Sequence, residues 1–312
     1  MRSSLSRRKA MRKKGLLGIV LGLLISTTAL TCDQDGNTGI VEDNKLWISA
    51  DQKSATGITE EEFNSILDRI EELYTPIIEE FNANLVVDRN WENGTVNAYA
   101  RQTGTSWQIS MFGGLARHET ITADAFALVA CHELGHHIGG APKKASWWGA
   151  SWASNEGQSD YWGSMKCLRR YMELDNNEEI VANMEVDEYA AEKCNQLFES
   201  NPNENAMCIR AAMAGLSLGN LFKALRRSTV PLKFDTPDQS VVSSTNHNHP
   251  APQCRLDTYF AGAVCDKSYG DVVSQTDPNQ GVCTRSEELE MGLRPLCWYK
   301  PAGDSTPTDP EV

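Results

Sequence analysis

Residues 132–136 read His132-Glu133-Leu134-Gly135-His136, and twenty residues past His136 stands Glu156, in the stretch Asn155-Glu156-Gly157-Gln158-Ser159-Asp160. On a helix, His132 and His136 lie one turn apart and project from the same face. Two imidazoles on one face and a distant carboxylate are the donor set of a catalytic zinc site, in which three protein groups hold the ion and a fourth position stays open. Zinc lowers the pKa of a bound water to about 7 and polarises a carbonyl. Glu133, adjacent to a ligand without being one, is placed to take that water's proton and pass it to a leaving amine. Glu156 and Asp160, at i and i+4, share a helix face. One carboxylate can bind the ion while the other accepts the Nδ1–H of a zinc-bound histidine and fixes its tautomer.

The flanks support a helix here. The apolar run Ala125–Ala130 leads into the motif from about Thr122, and Gly139-Gly140 ends it after His137. His137, about 100° around from His136, points off the zinc face. Cys131 is expected as a buried thiol or disulfide partner. Upstream, Thr59-Glu-Glu-Glu62 opens as a capping box. Phe63, Ile66, Leu67, Ile70, Leu73, Tyr74, Ile77, Ile78 and Phe81 follow at helical spacing, with a bend expected at Pro76. Between the two helices the period changes. Leu85–Val87, Thr95–Arg101 and Ser106–Phe112 read as short strands, punctuated by Asn93-Gly94 and Thr103-Gly104. Trp147, Trp148 and Trp152 mark the loop between the two halves of the motif. Helices are expected over 155–172, 178–199 and 204–226, and residues 230–300 read as loop-rich. Glu185, Glu188 and Glu192 are a second source of carboxylates, but they lie farther from His136 and lack a following Asp. They read as a solvated face.

The 312-residue chain carries a net charge of −13, which hides an asymmetry. Arg2, Arg7, Arg8, Lys9, Arg12, Lys13 and Lys14 precede an apolar run, Gly15–Leu30, and without them 22 basic residues face 42 acidic ones. So acidic a body argues against nucleic acid or an anionic membrane as partner. The basic start, the apolar run and the small residues after it read as an export signal, too short for a convincing spanning helix. Ala29-Leu30-Thr31-Cys32 resembles a bacterial lipoprotein cleavage site, although such sites favour Leu where Ala29 stands and Gly or Ala where Thr31 stands. With Cys32 as a lipid anchor, eight cysteines remain of nine, an even number that suggests up to four disulfides in an oxidising compartment.

The motif also carries a resemblance. His132-Glu-x-x-His136 followed by Asn155-Glu156-x-x-x-Asp160 resembles the gluzincin metallopeptidases, of which thermolysin is the familiar member, and among them the neutral zinc metallopeptidases of bacteria. A second likeness is to the prenyl-CAAX-endopeptidase-like gluzincins. It rests on Val96-Asn97-Ala98-Tyr99-Ala100, then Ile109–Leu115, then the HELGH helix, then His249-Pro250 with Arg255 downstream. The resemblance covers roughly residues 95–165 and 244–258. Those relatives are usually integral membrane proteins, whereas this chain has no internal span, and the cysteines and tryptophan loop are not part of their pattern. The resemblance implies zinc on His132, His136 and Glu156, Asp160 behind a histidine, and Glu133 as general base. It further implies an oxyanion donor at His249, with His247 as the alternative. Arg255 would bind substrate or orient a carboxylate. Asn97–Ala100, with Tyr99, or Ser106–Phe112 would offer an open edge for an extended peptide.

The resulting expectation is an α+β protein: a small mixed sheet packed on the HELGH helix, a helical second half, and a Cys-rich, loop-rich C-terminal segment. Its parts are a signal at 1–31, a tether at 32–57, a catalytic domain at 58–300 and a tail at 301–312. The expected activity is that of an exported zinc metalloendopeptidase with one catalytic Zn2+, acting on peptide or protein substrates. It would be a lipoprotein of the bacterial periplasm or outer membrane, or else secreted, with no transmembrane domain in the mature chain. Two alternatives stand beside it: a zinc hydrolase of a non-peptide or cell-wall substrate, and a non-catalytic zinc-binding envelope lipoprotein.

Overall fold

Thr59 caps the first long helix as its sequence requires, accepting from the Glu62 amide, and α1 runs Glu60–Glu79. Phe63, Ile66, Leu67, Ile70, Tyr74 and Ile78 make its buried stripe, Pro76 sits inside it, and Phe81 lies beyond its end, partly exposed. The structure is a computed structural model that describes residues 37–52, 57–144, 151–287 and 289–301, within the unit Cys32–Val312. The expected signal, Cys32, Trp147, Trp148 and the tail from Ala302 lie outside the described residues.

A mixed four-stranded sheet has the order β1-β3-β4-β2, with β1 Asn37–Gly39, β2 Asn84–Asn90, β3 Ala98–Thr103 and β4 Ser106–Phe112. β3 and β4 form an antiparallel hairpin in which Thr103 pairs with Ser106. Gly104 supplies the left-handed residue of the turn, at φ 60°. β2 runs parallel to β4, and β1 antiparallel to β3. Two expectations are corrected here. Part of the segment read as a tether is a strand, followed by fully buried Ile40 and nearly buried Val41. The strands β3 and β4, offered as a peptide-pairing edge, are interior, and the edges are β1 and β2.

A short helix, α2 (Gly113–Ala116), leads to α3, Ala123–Ile138, capped by Thr122 on the Ala125 amide. Every residue of α3 from Ala125 to Ile138 is buried, so this helix is the centre of the fold rather than an amphipathic cover. The 155–172 prediction appears as α4 (Glu156–Trp162), a π-helical turn (Gly163–Cys167) and α5 (Leu168–Met172). The helix expected at 178–199 is broken into α6 (Asn177–Ala182) and α7 (Glu188–Phe198), and α8 spans Pro202–Leu225. The segment read as loop-rich also contains a helix, α9 (Pro252–Ala263). α9 packs so closely that a Cβ on Gly262 would come within 2.0 Å of Ser164 Oγ and 2.6 Å of Tyr161 O. Disulfides join Cys131–Cys167, Cys194–Cys208, Cys254–Cys297 and Cys265–Cys283. The first staples α3 to the π turn, one residue before His132. No helix among the described residues is long and apolar enough to cross a membrane.

Candidate metal centre

Gly135 of the HELGH helix has a packing reason. A Cβ there would meet Ser159 at 3.0–3.2 Å, so its absence lets α4 lie against α3. Asn155 caps α4 by accepting from the Gln158 amide, which starts the helix at Glu156 and turns that side chain toward the histidines. Ligand atoms of His132, His136 and Glu156 then lie within 4.8 Å of one another, all buried. Glu156 Oε2 stands 3.2 Å from His132 Nε2 and 3.7 Å from His136 Nε2. Ligands about 2.0–2.1 Å from a tetrahedral ion stand about 3.3–3.4 Å apart, so the spacing fits.

The far side of each imidazole decides its tautomer. His136 Nδ1 faces the Ser154 carbonyl at 2.9 Å, which can only accept, so Nδ1 carries the hydrogen and Nε2 the lone pair. His132 Nδ1 donates to Asp160 Oδ1 at 2.7 Å with the same result. Both Nε2 atoms are buried and make no hydrogen bond. Two buried lone pairs aimed at a carboxylate oxygen, with nothing between, are the arrangement a cation resolves. The residues therefore fit a metal ion.

Asp160 is held in turn. Its Oδ2 accepts from Arg255 Nε at 2.7 Å, and its Oδ1 from Arg255 Nη2 at 2.7 Å and from the Tyr259 hydroxyl at 2.5 Å. Arg255 Nη1 also donates to Ile40 O at 2.5 Å, and the guanidinium lies 3.8 Å over the Phe222 ring. Arg255 is 2 % exposed. Of the two roles expected for it, the contacts are those of orienting a carboxylate. Tyr259 was not anticipated. Its signal was the i,i+4 spacing from Arg255, which is visible only once α9 is recognised as a helix.

Electrostatics follow from this burial. Burial works to lower the His132 pKa, but the Asp160 charge and hydrogen bond, with Glu156 and Glu133 nearby, raise it to about 9. Burial pushes the Glu133 carboxyl up to about 8 and holds His136 well below its usual value. Burial opposes the Glu156 charge, yet His249, Lys144 and His136 hold that carboxyl well below the ordinary range. Glu133 is fully buried and neither of its oxygens has a hydrogen-bond partner.

His249 is brought to the cluster from the far end of the chain. Its Nε2 lies 3.3 Å from Glu156 Oε2 and donates to Gly39 O at 2.7 Å. It stands outside the three-ligand group. His247 lies two residues away on the loop Val242–Asn248, which lines a cavity of about 550 Å³. Asn97 and Tyr99, candidates for substrate contact, serve the β1 segment instead. Asn97 is buried, accepts from Val41 N at 3.4 Å and donates to Val41 O at 3.2 Å and Tyr99 OH at 3.0 Å, while Tyr99 OH donates to Asp43 at 3.3 Å. His137 points away from the metal group as expected, stacked between Trp107 at 5.4 Å and Trp152 at 5.0 Å. Glu185, Glu188 and Glu192 are exposed and are not in the ligand group.

Comparison with protein-family models, with curated proteins and with solved structures finds no match for this chain.

Proposed function

We propose that the protein is an exported zinc metalloendopeptidase, with zinc on His132, His136 and Glu156 and with Glu133 as general base. The observation that carries this reading is the pair of buried, unpartnered Nε2 atoms beside Glu156, with the unpartnered Glu133 carboxylate next in sequence to a ligand. A structural zinc site closes its fourth position with a protein ligand and has no use for a buried base. Zinc, when bound, supplies a lowered water pKa and a polarised substrate carbonyl. Glu133 takes the proton of the attacking water and delivers it to the departing amine. Asp160, braced by Arg255 and Tyr259, keeps the His132 ring in register and its Nδ1 protonated. His249 offers an Nε2–H at the cluster, and donation to the tetrahedral oxyanion replaces its bond to Gly39 O. The four disulfides support an oxidising, extracytoplasmic location, matching the export signal read from the N-terminus. The test is zinc content and peptide-library cleavage for the wild type and Glu133→Gln. Zinc retained in both with cleavage lost in the variant supports the reading, and equal cleavage in both ends it.

A further inference from the structure

Glu156 has two oxygens with different surroundings. Oε2 faces His132, His136 and His249 at 3.2, 3.7 and 3.3 Å. Oε1 faces Lys144, whose ammonium nitrogen lies 2.8 Å away. Lys144 is not a surface lysine that swings past. Its side chain is 9 % exposed, and its backbone amide donates to Ala153 O at 2.8 Å. Next to it, Lys143 and Ser154 form a β-bridge, and Lys143 Nζ is tied to Trp152 O, Ser154 Oγ and Gln275 Oε1. The Ser154 carbonyl is the same group that fixes the His136 tautomer. Both stems of the loop that joins the two halves of the motif are thus anchored, and the ammonium is delivered to one side of one carboxylate.

We propose that Lys144 is a positioning residue that keeps Glu156 a one-oxygen ligand. This rests on the metal reading above. A carboxylate with both oxygens free can chelate a cation and occupy the position that a hydrolytic site must keep open. An ammonium on Oε1 opposes that option, because turning both oxygens to the ion would break a nearly buried ion pair at 2.8 Å. Lys144 thereby sets the ligand count without touching the metal.

The test uses the full protein loaded with cobalt(II), whose visible bands are strong with four ligands and weak with five or six, so that geometry is read directly. Wild type is expected to bind one cobalt with strong bands. Lys144→Met, and Lys144→Gln as a second variant, should still bind one cobalt but lose band intensity, and X-ray absorption should count one more oxygen. Lys144→Arg, which keeps a cationic donor, should restore the wild-type spectrum. One cobalt bound with an unchanged spectrum and ligand count in both neutral variants overturns the clamp and leaves the metal reading standing. Two Glu156 oxygens on the metal in the wild type would overturn it too. Failure of the wild type to bind cobalt at all sinks both.

Discussion

Asp160→Asn removes one charge and little volume from a site where four donor contacts converge on two oxygens. His132 Nδ1, two Arg255 nitrogens and the Tyr259 hydroxyl all lie within 2.7 Å of the carboxylate. An amide replaces one acceptor with a donor and leaves the buried guanidinium without a counter-charge. Breaking a buried pair from one side costs about 3–5 kcal/mol. For a domain of this size that corresponds to a fall of about 6–20 °C in Tm of the metal-free protein. Loss of the group behind a metal-binding histidine weakens metal affinity about 10–100-fold, or about 1.4–2.8 kcal/mol. The metal-loaded protein should therefore lose more stability than the metal-free one, by that second amount. The pH dependence has a definite sign. Burial opposes the Asp160 charge, but Arg255 and His132 hold its carboxyl below the usual value. Its contribution is present above about pH 4, is lost as pH falls through the native pKa, and should be missing from the acid limb of the variant. The assays are denaturant unfolding with and without zinc, and zinc titration against a chelator. A variant within twofold of wild-type affinity and within about 1 kcal/mol in stability would refute the relay from Arg255 through Asp160 to His132.

Other consequences can be checked separately. Zinc affinity should fall as pH falls, because protons compete for the His132 and His136 Nε2 lone pairs that the ion needs. Zinc titration against a chelator at several pH values reads this directly, and an affinity independent of pH contradicts it. Removing the Cys131–Cys167 bridge by Ala substitution at both positions opens a loop of 36 residues and should cost about 4 kcal/mol in chemical denaturation, where a loss under about 1 kcal/mol would be contrary. Arg255→Met should abolish tight zinc binding less completely than Glu156→Ala, since it removes a brace rather than a ligand; equal loss in a chelator competition would place Arg255 differently.

The sequence made the centre of this molecule legible because local chemistry specifies it. The i,i+4 histidines, the Thr122 and Asn155 caps and the Gly after the helix each act within a turn or two. The i,i+4 Glu156–Asp160 pair gave one carboxylate to the metal group and one to His132, as its helical spacing implied. Even cysteine parity anticipated four bridges, though not their pairing. What escaped was held by distant partners. β1 is three residues long, and Thr38 pairs with Ala100, so neither length nor period announces it. α9 is buried nearly all round, with Arg255, Asp257 and Thr258 inside, and so shows no apolar stripe. Its polar interior residues face Asp160 and the Asp238 loop, partners that only the fold supplies. The Lys144–Glu156 contact was hidden for the same reason, since nothing in the run Pro142-Lys-Lys144 points to a carboxylate twelve residues on.

The account stands on a metal ion held by two histidines and one glutamate. Crystals of the purified protein, recorded at the zinc absorption edge, test that most directly. One anomalous peak is expected, about 2.0–2.2 Å from His132 Nε2, His136 Nε2 and Glu156 Oε2. A map with no peak at that position in zinc-soaked crystals, or with its peak at Glu188 and Glu192, would contradict it.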